Sequence, residues 1–205
     1  HLAIWIILNA SSAQMPEAFQ PVSRYNDEVF ELLAGCADNL LQSVAWYMLA
    51  GSSADFSEKA AILERAIAFA RAARDAPGLG PEFCLLTDGD FVLGVELSGY
   101  ANDLLEQGEF ARATPLAEEN FTLFQARGNR YEQAGGLGIL GRLALLQGDL
   151  VQAQTYLHEA VTIAAAVNYQ EILCNCQSLL GLVALYNGDT VEARRLLTES
   201  LKGAI

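Results

Sequence analysis

The chain repeats itself. Gly141–Leu157 reads GRLALLQGDLVQAQTYL and returns forty residues later as GLVALYNGDTVEARRLL, Gly181–Leu197. Eight of the seventeen positions are identical: Gly141/Gly181, Ala144/Ala184, Leu145/Leu185, Gly148/Gly188, Asp149/Asp189, Val151/Val191, Ala153/Ala193 and Leu157/Leu197. A weaker copy, ANDLLEQGEFARATPLA, occupies Ala101–Ala117. It keeps Leu105, Gln107, Gly108 and Ala113, with Glu109 where the others have Asp. Self-similarity at a fixed period of this size marks an array of stacked units.

Each unit reads as helix, tight turn, helix. The apolar residues of Gly141–Leu146 suit a helix packed on more than one side. Gly148 supplies the left-handed residue that ends it, and Asp149 can accept from the free N–H groups that open the next. Gly188-Asp189 repeats this pair and Gly108-Glu109 is a weaker version. In the second helix Leu150, Ala153, Tyr156, Leu157, Ala160, Val161 and Ala164 fall at i, i+3, i+4 spacing and form one apolar face. One such pair cannot bury both of its faces, so pairs must stack and share a core.

The spacing from Gly141 through Gly148, Ala153 and Leu157 to Ala160 resembles the tetratricopeptide repeat. That repeat sets a small residue of helix A against a small residue of helix B, followed by a large apolar and another small one. The Gly181 copy matches through Leu197 with Ser200 last, and the Ala101 copy matches through Ala113, then has Ala117 and Asn120. The period is 40 rather than the family's usual 34, and the turns read ALxxGD. In both respects the copies look like repeats of large ATP-dependent bacterial regulators of the LuxR type. The resemblance implies an all-α, right-handed superhelix of about four helix pairs. It also implies a scaffold that binds proteins or peptides along an inner surface lined by helix A.

Composition narrows the function. The chain has 205 residues, of which 52% are hydrophobic, ample for a sizeable core. Its longest uninterrupted apolar run, Leu2–Leu8, is far too short to span a bilayer. The net charge is −13 with twelve scattered Lys and Arg, which argues against direct nucleic-acid binding. Cys36, Cys84, Cys174 and Cys176 contain no C-x-x-C and read as reduced core thiols of a cytoplasmic protein. No cofactor or metal is called for, and G-x-S-x-G, H-E-x-x-H and phosphate-loop motifs are missing. His158 reads as a surface or packing residue. The expectation is a non-catalytic protein.

Taken in order, residues 1–25 form an N-terminal helix and linker, and residues 26–205 the repeat domain. Leu2–Ala13 reads as a helix of a preceding repeat or a cap, with the end of a signal peptide as the alternative. Beginning at His1 and ending at Ile205 as a second helix finishes, the chain is expected to be a piece of something longer. Residues 26–75 are a divergent first pair, one helix capped at Asn26 or Asp27 and running to about Leu49, the other from Asp55 to Ala73. Residues 76–93 are an insertion with a short helix at 82–87 and a turn or cap at Asp88-Gly89-Asp90. Residues 94–205 hold three repeats. Pro115 must kink its helix unless that helix starts late. The Asn168-to-Gly181 spacing exceeds Asn129-to-Gly141 by one, which predicts a one-residue slip of register.

Gly136–Gly141 matches G-x-G-x-x-G, but no strand precedes it, and a dinucleotide loop needs one. Gly135, Gly136, Gly138 and Gly141 instead predict close approach of a neighbouring helix, or a ligand lying against the bare helix. Registering the family's inner surface on residues 101, 141 and 181 gives the exposed positions. These are Val95, Ser98, Asn102, Leu105 and Glu106; Gly135, Gly138, Arg142, Leu145 and Leu146; and Asn175, Ser178, Leu182, Leu185 and Tyr186. The proposed peptide-binding set is Ser98, Asn102, Glu106, Gly138, Arg142, Leu146, Asn175, Ser178 and Tyr186. Arg142 flanked by amides can hold a carboxylate bidentately. The favoured partner is a protein or peptide segment, in a larger signalling or transcription-regulating protein. A small-molecule effector sensor and a self-association module are the alternatives.

Overall fold

A computed structural model describes residues 35–51, 53, 55–74 and 89–203. Eight helices follow one another among them, with no strand: α1 (Asn39–Ala50), α2 (Phe56–Ala72), α3 (Gly89–Glu106), α4 (Phe110–Ala126), α5 (Arg130–Leu146), α6 (Leu150–Ala166), α7 (Gln170–Tyr186) and α8 (Thr190–Gly203). The protein is an all-α helical repeat. None of these helices is long and apolar enough to cross a membrane. The expectations for residues 1–25, the short helix at 82–87, Asp88 and Cys84 lie outside the described residues.

By its contacts the chain divides into two units, His1–Glu96 and Leu97–Ile205. In the first, α1 packs on α2 around Leu41, Ala45, Trp46, Leu49 and Ala66. The Arg65 guanidinium lies 4.1 Å over the Trp46 ring. The helix expected to run unbroken to about Leu49 does not, and its expected caps Asn26 and Asp27 lie outside the described residues. Residues 35–38 are not helical, and Asp38, in extended backbone, accepts from the Leu41 N–H at 3.1 Å. A carboxylate that satisfies an orphan N–H makes the helix begin here. Its partner starts as expected, with Asp55 accepting from the Glu58 N–H.

In the second unit α4 packs on α5, α5 on α6, α6 on α7 and α7 on α8, while α5 also touches α7. Five residues with positive φ pace these helices: Gly108, Gly128, Gly148, Asn168 and Gly188, each twenty residues after the last. Asn168, with φ 56°, therefore corresponds to Gly128 and not to Asn129. This corrects the predicted slip: the period is a uniform forty residues, and α7 starts at Gln170 where α5 starts at Arg130. Asparagine stands in for glycine here because its short polar side chain tolerates left-handed backbone.

Caps follow the turns. Asp149 accepts from the Gln152 N–H and Asp189 from the Glu192 N–H, both at 2.9 Å. Glu109 makes no such bond, and its carboxylate pairs with Arg112 instead. Pro115 lies inside α4, which starts in step with its siblings. Proline removes the N–H that would bond the carbonyl of Ala111, and both residues are exposed, so water can take that carbonyl.

Gly148, with φ 83° and nothing near the place of its absent side chain, isolates the turn's backbone requirement. Gly148→Ala should lower the unfolding free energy in urea by about 1 kcal/mol through left-handed strain alone.

Candidate protein-binding surface

The nine proposed binding residues all lie on the first helices of their pairs. Ser98, Asn102 and Glu106 are on α3; Gly138, Arg142 and Leu146 on α5; Asn175, Ser178 and Tyr186 on α7. Helices α5 and α7 touch. The glycines explain the fit of α5. A Cβ on Gly136 would stand 2.7 Å from Asn120 Oδ1 on α4, and one on Gly141 would stand 2.6 Å from Leu157 Cγ on α6. A Cβ on Gly138 would be 3.2 Å from Cys176 Sγ on α7. Three glycines thus admit three different neighbours. Only Gly135 faces open space, with nothing within 4 Å. The G-x-G-x-x-G run lies inside α5 and forms no loop.

The side chains differ in what they are already doing. The Asn102 Nδ2 donates to the Ser98 carbonyl one turn back, at 3.1 Å. Ser178 Oγ lies 2.7 Å from Ser200 Oγ, and Ser200 in turn donates to the Cys174 carbonyl. That pair ties α7 to α8. Arg142 is half-buried and makes no ion pair among the described residues. Glu106, Leu146, Asn175 and Tyr186 are exposed.

Two of the positions expected to be exposed are not. Leu105 is 3% and Leu145 8% exposed, whereas their counterpart Leu185 is 46% exposed. Leu145 belongs to a core that includes Leu180 and Val183 of α7, so the following helix pair covers it. Leu182 is exposed beside Leu185, and Tyr186 is 72% exposed. The surface on the first helices therefore turns from polar on α3 (Asn102, Glu106) to mixed on α5 (Arg142, Leu146). On α7 it is polar at Asn175 and apolar towards the helix end (Leu182, Leu185, Tyr186).

Two features escaped the sequence reading. Tyr131 and Tyr169 stack with ring centroids 3.7 Å apart at the starts of α5 and α7. Burial and the neighbouring Tyr131 hydroxyl push the Tyr169 phenol above its ordinary range, and burial raises Glu132. The signal was a tyrosine at the start of two helices, but two residues out of register. The other feature is Glu96, buried on α3. It stands one turn after Val92 and Leu93 in FVLGVELSGY, on the same helical face. Elsewhere the buried Cys176 thiol is pushed up to about 12, which leaves it inert.

Comparison with known proteins agrees with this architecture. A family model described as "Tetratricopeptide repeat" matches residues 134–159, from α5 into α6. Among solved structures the chain is similar to the "Crystal structure of BtubC (BKLC) from P. vanneervenii", with a TM-score of 0.69 and 16% identity. That likeness covers 98% of this chain and 78% of the other, and at such identity it is a likeness of fold. No curated protein gives a significant match.

Proposed function

The chain being a tetratricopeptide-like helical repeat, we propose that it is a non-catalytic scaffold that binds a protein or peptide segment along the exposed face of α3, α5 and α7. Arg142 carries this reading. It is a half-buried cation with no carboxylate partner among the described residues of a chain whose net charge is −13. Such a group is available to a ligand carboxylate, and a guanidinium binds one in a fixed two-pronged geometry. The exposed Leu146, Leu182, Leu185 and Tyr186 supply apolar contact area of the kind that anchors binding segments. The segment we infer therefore carries an acidic group or a terminal carboxylate next to apolar side chains.

The packing of Gly136, Gly138 and Gly141 against neighbouring helices supports the peptide reading over a small-molecule pocket at 135–142. By their turns, the repeats fit a cytoplasmic bacterial regulator of signalling or transcription. Amide exchange tests the assignment. A bound segment should protect residues 98–106, 135–146 and 175–186. Protection confined to α8 or to residues 2–8 would place binding at the ends of the chain and overturn the site.

A further inference from the structure

Glu96 lies where α3 meets α1, within the first unit. It is 1% exposed and its neighbour Ser43, on α1, is wholly buried. The Ser43 hydroxyl donates to Glu96 Oε1 across 53 residues of sequence. The other oxygen, Oε2, is buried with no hydrogen-bond partner among the described residues. Around the contact, Leu40 of α1, Ala73 at the end of α2 and Val92 of α3 form an apolar cluster, with Val44 packed against it. Leu40, Ser43 and Val44 fall on one face of α1, and Val92 and Glu96 are one turn apart on α3. A carboxyl is thus placed in an apolar helix–helix contact where, among the described residues, the Ser43 hydroxyl is its hydrogen-bond partner.

A neutral carboxylic acid tolerates such a place, whereas a carboxylate there is desolvated with no counter-charge among the described residues. Among the described residues no cation pairs with it. Helix α1 carries no charged side chain between Asn39 and Ala50, and Tyr47 is its one titratable group. The end of α2 brings Arg71 and Arg74, and the Arg74 guanidinium is held 2.8 Å from Asp90 at the start of α3. Burial pushes the Glu96 carboxyl up to about 7; the Ser43 hydrogen bond pulls the other way and only partly offsets it. No charged group among the described residues contributes to this rise.

We propose that Glu96 is a proton-operated latch, holding α1 against α3 while it is protonated and releasing α1 when it ionises. This stands independently of the binding reading. The register shows the position to be a variable one in an otherwise conserved frame: its counterparts forty and eighty residues on are Gly136 and Cys176, neither of which takes a charge in place. Because the carboxyl's value is higher in the docked state than the ordinary 4.5, docking is favoured by protonation. That contribution is fully present below about pH 4.5 and is lost as the pH rises through about 7.

The test is opening of α1, measured on the whole chain by amide exchange at residues 39–50 and corrected for the chemical pH dependence of exchange. Between pH 5.5 and 8.5 the opening constant should rise on the order of thirtyfold. In Glu96→Gln, which keeps the shape and cannot ionise, that rise should vanish. Equal profiles for the two proteins overturn the latch. A carbon-13 titration of the wild-type Glu96 carboxyl decides the matter if Glu96→Gln does not fold. A midpoint near 7 supports the latch, and a midpoint in the ordinary carboxylate range overturns it.

Discussion

Leu157→Ala is expected to remove about 3–5 kcal/mol of stability, the upper part of the range for deleting a buried leucine. Leu157 has no exposed surface, and it fills the space left above Gly141 on the facing helix. Glycine has no side chain with which to relax into the cavity, so the void should persist, and persistent cavity volume is what raises the cost. A domain holds only about 5–15 kcal/mol in all, so the loss should be obvious in urea denaturation. Gly141→Ala, made alone, should also destabilise, because the new methyl would stand 2.6 Å from Leu157 Cγ. Combined, the two changes should cost less than their sum, since each supplies the room or the atoms the other lacks. The later pair offers a control. Gly181 faces Leu197 in the same way, but Leu197 is only half-buried, so Leu197→Ala should cost less. A loss under about 1 kcal/mol for Leu157→Ala, or simple additivity, would remove the interlocked pair from the account of how successive helices register.

The residues of that interlock are legible in the sequence because they recur, but the repeat pattern sets Gly141 against Ala153, and it is Leu157 that lies over it. Gly141/Gly181 and Leu157/Leu197 stand out as identities forty residues apart, and the turn glycines and capping aspartates are local chemistry that needs no knowledge of the fold. Where the repeat changes its residue, likeness misleads: Asn168 resembles Asn129, although its positive φ makes it the counterpart of Gly128. Burial was less legible because it depends on what packs next. Leu145 and Leu185 are the same residue in the same register, yet α7 buries the first and the second is exposed. The start of α1 after its cap Asp38 is hidden in the sequence for a related reason. Several residues upstream can cap a helix, and a capping side chain does not announce which of the candidates will be used. The candidate surface inherits this limit: a family register says which positions can face outward, and only the neighbours decide which do.

Arg142→Glu should weaken a bound segment by about ten- to a hundredfold, the loss expected when a charge-assisted hydrogen-bonded contact becomes a repulsion. The measurement begins with peptides selected on the wild-type chain from a random library. It then compares their dissociation constants for the two proteins. The expectation follows from the environment of Arg142. A half-buried guanidinium is partly desolvated before any ligand arrives, so a carboxylate meeting it gives up less to competing water than it would at a fully exposed site. The substitution also shifts the net charge of an already acidic chain, and that alone could repel acidic peptides. Arg194→Glu controls for it, being the same change on the exposed part of α8. Long-range repulsion is screened beyond about 10 Å in ordinary salt, so Arg194→Glu should change the affinity little and its small effect should fade as salt rises. Equal losses in the two variants would reduce Arg142 to one charge among many. Selected peptides without any carboxylate, bound equally by both proteins, would move the binding face to the apolar end formed by Leu182, Leu185 and Tyr186.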